Sequence, residues 1–340
     1  MRQFTAESVA AAASEVTADQ LAGSPVLFAG TPGIAAEALQ GLLDHGVQIA
    51  AVLTRPDAPV GRKRRLTPSP VAQLAESSGI PVLKADRVDD AVTAEISTTG
   101  AQLGVVVAYG ALLPQPALDA LPRGWVNLHY SRLPQYRGAA PVQHALLHGE
   151  DSTAATVFQL ERGMDTGPIH GMVDYPIPEA ASAGTVLTEL TDLGTSLILA
   201  LLPELLAGAS QPAPQAGEPS YAPKLTGRDG FIDPSHSAEE IVRRTNATIP
   251  EPGAWTLHGE DRLKLGPVRR YQSAVPAQPG AVALLESDRE PGQKAVVLTA
   301  GDAAGVVLTQ VQPAGKQMMN AADWLRGQQE PVQLGGAADA

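Results

Sequence analysis

The sequence predicts an α/β protein, with a mainly parallel sheet in the first two thirds and a small β-barrel after it. Three observations carry this. From Pro25 onward, near-continuous apolar runs alternate with helix-spaced segments, as parallel strands buried on both faces require. A stretch without periodicity, GASQPAPQAGEPSYAP (208–223), then interrupts the chain. Short strands separated by turn residues follow it. At 340 residues the chain exceeds one ordinary core, so two domains are the default.

The elements run as follows. Residues 1–23 are Ala-rich, and their only basic residue is Arg2. A signal peptide needs a basic start and a solid apolar stretch. This segment is therefore expected to be a poorly ordered extension or one loose helix. PVLFAG (25–30) is a short strand, and IAAEALQGLLDHG (34–46) is a helix ending on Gly46. VQIAAVLT (47–54) is a second strand; a Pro-rich basic loop and the helix PVAQLAESSG (70–79) follow. IPVLKA (80–85), LGVVVAYG (103–110) and GWVNLHYS (124–131) are further strands. The helix AAPVQHALLHG (139–149), the strand ATVFQLE (155–161) and a long helical stretch, 186–208, complete the first domain. After the linker and one helix (237–247) come AWTLHG, RLKLGPVRRY, GAVALLE, KAVVLTA and GVVLTQVQ. Five short strands at turn spacing suggest a barrel of OB type.

Composition narrows the function. No cysteine is present, which removes disulfides, thiolate catalysis and Cys-based zinc sites. A formal charge of −12 argues against a wholesale nucleic-acid coat but leaves room for a local basic site. The apolar runs are short and interrupted, so no bilayer-spanning segment or membrane partner is expected. With no targeting signal, the expected location is the cytoplasm.

The motifs are uneven in strength. AGTPG (29–33) lacks G-x-G-x-x-G, and no G-x-x-x-x-G-K-[ST] occurs, so a dinucleotide or P-loop site is disfavoured. His144 and His148 have metal-ligand spacing but neither the following Glu nor a third ligand, and read as a polar helix face with no metal. Arg62, Lys63, Arg64 and Arg65 form a cationic run on a loop at the C-terminal end of a strand, where open α/β sheets place ligands. Asn127 and His129, two apart on a strand, face one side. Both can donate to a developing oxyanion, each worth about 3 kcal/mol in acyl transfer, and His can also move a proton. Asp165, in the Gly-flanked loop GMDTGPI (163–169), could orient the imidazole, although alone it reads equally as a turn residue.

Taken in order and spacing, FAGTPG, TRPDAPVGRKRRLTPSPV, VVVAYGALLP, NLHYSRLPQYRGAAPVQHALLHGE, GMDTGPI and QPAGKQMMNAADWLRG make the chain resemble the methionyl-tRNA formyltransferases from about Pro25 to about Gly327. The resemblance implies a Rossmann-like formyltransferase domain (24–207), a linker (208–223), an OB-like tRNA-binding barrel (224–330) and a tail (331–340). It implies transfer of a formyl group from 10-formyltetrahydrofolate to the α-amine of methionyl initiator tRNA, with Asn127, His129 and Asp165 catalytic and His129 protonated. For the folate it implies Ser131, Arg132, Leu133 and Pro134 together with Val107, Tyr109, Gly110 and Leu112. For the tRNA it implies Arg62, Lys63, Arg64 and Arg65, and on the barrel Arg262, Lys264 and Arg269. Arg243, Arg244, Arg270 and Lys316 are expected to cluster with the barrel set on one face. Two departures from the family pattern are Tyr130, where a small residue is usual, and Arg132, which is expected to point away from the folate ring. A monomer is expected. The alternative is another folate-dependent formyltransferase or a formyltetrahydrofolate hydrolase.

Overall fold

A computed structural model describes residues 2–61, 64–275 and 277–336. The chain forms two compact units. The first comprises Met1–Pro141, Ser152–Pro176 and Leu187–Tyr221; the second comprises Val142–Asp151, Ile177–Val186 and Ala222–Ala340.

The strands of the first unit are β1 (Arg2–Phe4), β2 (Val26–Gly30), β3 (Ile49–Thr54), β4 (Ala58–Val60), β5 (Arg65–Thr67), β6 (Val82–Lys84), β7 (Leu103–Val107), β8 (Trp125–His129), β9 (Ser152–Gln159) and β10 (Ile169–Pro176). Its helices are α1 (Ala6–Ser14), α2 (Ala18–Leu21), α3 (Gly33–Asp44), α4 (Pro70–Ser77), α5 (Asp90–Thr98) and α6 (Gln115–Leu118). Helix α7 (Pro141–His148) belongs almost wholly to the second unit, and α8 (Ala183–Ala207) gives its first turn to the second unit and the rest to the first. Eight strands form one sheet in the order β1-β10-β9-β8-β7-β2-β3-β6. From β8 to β6 every pairing is parallel, while β9 runs antiparallel to both neighbours. β2 and β7 are buried along their whole length, which is why they read as unbroken apolar runs. The strand order reverses between β2 and β7, so a ligand crevice is expected beyond their C-terminal ends.

Helix α8 lies close on the sheet because Gly194 faces Leu128 of β8; a Cβ there would stand 2.5 Å from a leucine methyl. At 25 residues α8 is also long and apolar enough to cross a membrane, which corrects the expectation that no such segment exists. Of its most apolar window, 61% is buried inside the protein, as in a core helix.

Residues 2–21 are not a loose extension. β1 adds to the sheet edge in parallel with β10, pairing Arg2 with Gly171 and Phe4 with Val173. Val9, Ala13 and Leu21 are buried. Capping boxes at Thr5 and Thr17 start α1 and α2. The basic loop is likewise more regular than expected: β4 and β5 pair as an antiparallel hairpin with Leu66 exposed.

The second unit contains α9 (Ala238–Ala247), β11 (Trp255–His258), β12 (Asp261–Leu265), β13 (Val268–Ala274), β14 (Ala281–Glu286), β15 (Lys294–Thr299), β16 (Ala304–Leu308), β17 (Gln310–Pro313), β18 (Met319–Asn320), α10 (Ala321–Arg326) and β19 (Val332–Gln333). Two antiparallel sheets result, β11-β12-β17-β18 and β13-β16-β15-β14-β19, around a core of Ile232, Ile241, Leu263, Val296, Leu298 and Trp324. No sheet closes on itself among the described residues, so the expected closed barrel is not found. The predicted strand RLKLGPVRRY is two strands, because Gly266 and Pro267 separate β12 from β13 and proline has no N–H for a ladder.

Candidate active site

Strand β8 sets the site. Alternation turns Leu128 toward α8 and puts Asn127 and His129 on the other face. Phe158 of β9 lies opposite Asn127 in register and meets the His129 ring edge-on, with ring centres 6.3 Å apart. His129 is only 5% exposed. Its Nε2 donates to the Tyr136 carbonyl at 2.9 Å; a carbonyl only accepts, so Nε2 carries the hydrogen. Nδ1 faces Asp165, 3.9 Å from Oδ2. Burial pushes the His129 pKa down, while the Asp165 carboxylate and the Tyr136 carbonyl pull it up less strongly. Half-buried Asn127 keeps its amide without a hydrogen-bond partner among the described residues.

Asp165 is held from outside its own loop. The Gly138 N–H donates to Oδ2 at 2.7 Å. Both Asp165 (φ +52°) and Tyr136 (φ +58°) have left-handed backbones, which for a tyrosine is a strained state costing about 1–3 kcal/mol. The glycine of the D-x-G motif has a steric cause: a Cβ on Gly167 would sit 1.9 Å from the Gln159 carbonyl oxygen.

Two further residues come from the stretch expected to be a linker. Gln215 Nε2 donates to the Asp165 carbonyl at 2.7 Å and to the Gly167 carbonyl at 2.9 Å, while its Oε1 accepts from Arg137. Ser220 Oγ accepts from the Tyr136 N–H at 2.8 Å. No sequence signal pointed to either, because they lie in irregular chain without periodicity. In place of a free linker, residues up to Tyr221 pack with the first unit.

The crevice beyond β2 and β7 is bounded by the turn at Thr31 and the loop from Ala108. Thr31 Oγ1 ties them by donating to the Tyr109 carbonyl at 2.8 Å. Within the residues expected to hold folate, Gly110 and Leu112 are exposed. Val107 and Tyr109 are buried, and the Tyr109 hydroxyl donates to Ala85, so this loop offers mainly backbone. Ser131, Leu133 and Pro134 are also buried, with the Ser131 hydroxyl given to the Gln135 carbonyl. Arg132 turns to β10, where its guanidinium stands 2.6 Å from Asp174. Tyr130 donates toward α8, its hydroxyl 3.0 Å from Thr191 Oγ1, and burial pushes its pKa up to about 12. A cavity of about 490 Å³ lined by Gln115, Asp119, Arg123 and Arg162 opens at the start of β8, at the opposite end of the strand from His129.

Of the basic residues, Arg62 and Lys63 lie outside the described residues, and Arg64 and Arg65 are exposed at the end of the β4–β5 hairpin. In the second unit Arg262 and Lys264 alternate with buried Leu263 and Leu265, so both face outward; Arg262 stacks 3.9 Å over Trp255. Arg269 does not join them. It forms a two-point ion pair with Asp288, 2.7 and 3.0 Å, whose side chain is 3% exposed. That guanidinium holds the Asp288 pKa down at about 2. Arg243 and Arg244 are likewise paired, with Glu239 and Glu240 on α9. The expected single-face cluster therefore shrinks to Arg262 and Lys264, with Lys316 exposed just past β17, the strand that neighbours β12; Arg270 is exposed too, but on β13 in the other sheet.

The two units carry the domains of a formyl transferase: residues 25–202 match the formyl transferase family, and residues 224–329 match the formyl transferase C-terminal domain. A methionyl-tRNA formyltransferase of Clavibacter sepedonicus is 48% identical over 303 residues, 89% of this chain and 96% of its own. Accordingly, the chain belongs to the methionyl-tRNA formyltransferase family. In structure it is similar to a methionyl-tRNA formyltransferase from Clostridium thermocellum (TM-score 0.51, 17% identity, 74% of this chain and 94% of that one). It is similar also to HypX from Aquifex aeolicus, solved with tetrahydrofolic acid (TM-score 0.63, 17% identity, 88% of this chain and 46% of that one).

Proposed function

We propose that the protein transfers the formyl group of 10-formyltetrahydrofolate to the α-amine of methionyl initiator tRNA. The observation that carries this is the Asn127 amide, unpartnered within the described chain, beside a buried His129 whose Nδ1 faces Asp165. Asn127 donates to the formyl oxygen as it becomes anionic under attack by the amine; a preorganised donor of this kind contributes about 100- to 1,000-fold in rate. Burial outweighs the charged neighbour and lowers the His129 pKa, which favours the neutral imidazole before the amine arrives; once protonated, His129 stabilises the oxyanion together with Asn127. Nδ1 is thus the base. It takes the amine proton, Asp165 favours the resulting cation, and the proton passes to the departing folate nitrogen. No covalent bond to the protein is needed.

The folate fits the crevice between Thr31 and the loop from Ala108 to Pro114, where backbone groups and the exposed Gly110 line the rim. On the tRNA side, Arg64 and Arg65, with Arg62 and Lys63, reach the acceptor end, and Arg262 and Lys264 take backbone phosphates, so binding weakens as salt rises. The run of short antiparallel strands supports an OB-like reading of the second unit, as a module for the acceptor stem. A monomer working with the translation machinery in the cytoplasm completes the reading.

The test is transfer of labelled formyl to charged initiator tRNA by wild type, Asn127→Ala and His129→Ala. Both variants are expected to lose at least 100-fold in kcat. Release of formate without formylated tRNA would instead identify a hydrolase.

A further inference from the structure

Gln215 lies in a stretch whose composition reads as a spacer, yet its amide is saturated. Both Nε2 hydrogens are given, one to the Asp165 carbonyl (2.7 Å) and one to the Gly167 carbonyl (2.9 Å). Oε1 accepts from two nitrogens of Arg137, at 3.2 and 2.6 Å. The orientation of the amide is unambiguous, since carbonyls only accept and a guanidinium only donates. Arg137 and Gly138 are neighbours, and the Gly138 N–H holds the Asp165 carboxylate at 2.7 Å. One amide thus ties together the two segments that must present Asp165 to His129. Ser220 adds a second clamp. Its Oγ accepts from the Tyr136 N–H and its carbonyl from the Arg137 N–H at 2.9 Å, and Tyr136 supplies the carbonyl that fixes His129 Nε2.

We propose that Gln215 is a positioning residue for the transfer reaction, fixing the Asp165 loop against the Arg137–Gly138 segment, with Ser220 fixing the His129 side of the same arrangement. The inference rests on the reading of Asn127, His129 and Asp165 as catalytic. A fully satisfied, half-buried amide is a rigid joint, and loss of any member leaves its partners unpaired. Among the described residues Gln215 makes no hydrogen bond to the loop from Ala108 to Pro114 or to Arg64, Arg65, Arg262 or Lys264, so its role is confined to geometry. Misplacement of a catalytic group by about 1 Å costs up to about 100-fold.

The experiment measures kcat, KM for 10-formyltetrahydrofolate and KM for charged initiator tRNA for wild type, Gln215→Ala, Gln215→Glu, Ser220→Ala and Asp165→Asn, each with a melting curve. Gln215→Glu keeps an acceptor for Arg137 but has no hydrogen to give either carbonyl. Both Gln215 variants are expected to lose about 10- to 100-fold in kcat with both KM values within twofold of wild type, and Ser220→Ala a smaller part of that. If Gln215→Ala fails to fold, Gln215→Glu, which keeps the Arg137 pairing, decides. Full kcat in Gln215→Glu, or an effect confined to KM, overturns the proposal while an inactive Asp165→Asn leaves the catalytic reading intact. An active Asp165→Asn overturns both.

Discussion

Replacing Gly167 by alanine tests how tightly the Asp165 loop is set. The added Cβ would lie 1.9 Å from the Gln159 carbonyl oxygen, and non-bonded contacts of a Cβ do not go below 3.0 Å. Loop or strand must therefore part by about 1.1 Å, and β9 is pinned between β8 and β10, so the loop is what gives way. Gly167 is two residues from Asp165 and gives its carbonyl to Gln215, so the shift reaches the carboxylate that stands 3.9 Å from His129 Nδ1. A move of that size predicts a fall in kcat of about 100-fold, with overpacking costing about 1–3 kcal/mol of stability. Formyl transfer at saturating folate and tRNA gives the first quantity and urea unfolding the second. Turnover within threefold of wild type, with the protein folded, would refute the argument that steric closeness at Gly167 sets the position of Asp165.

Two other outcomes follow from the same geometry. Arg269→Ala takes the guanidinium from buried Asp288, which keeps only backbone donors such as the Gln272 N–H, and is expected to cost about 3 kcal/mol in unfolding measurements while the affinity for tRNA stays within twofold in the folded protein. His170 is 5% exposed, and burial pushes its pKa down to about 4. The unfolded chain therefore binds a proton below about pH 6.5 that the native state refuses until about pH 4, so stability falls as pH drops through that window, by up to about 3 kcal/mol. Urea unfolding at pH 7 and pH 4.5 should show a pH slope in wild type that is reduced in His170→Gln.

Much of the first unit was legible because strands buried on both faces leave unbroken apolar runs, as in VLFAG and LGVVV. The common face of Asn127 and His129 was legible from the period of two. Their distance to Asp165 was not, since it depends on left-handed backbones at Tyr136 and Asp165 and on a contact between Gly167 and Gln159. β1 escaped notice because three residues carry no period and the strand exists only through its partner β10. Arg269 looked like one cation in a basic run; its partner Asp288 lies 19 residues away, beyond any local pattern. The split of the second unit into two sheets follows from Gly266 and Pro267, which a count of apolar runs passes over.

The segment from Ala209 to Tyr221 has one more consequence, for anyone dividing this protein. A cut placed before it, where composition suggests the first unit ends, would remove Gln215 and Ser220 and the bridge between Arg137 and Tyr221. The resulting fragment would keep every residue of the Asn-His-Asp trio and still lack the brace that sets their spacing. Proline- and glycine-rich composition records that a segment packs without a repeat, and the edge of an autonomous enzyme fragment has to be drawn where its hydrogen bonds stop.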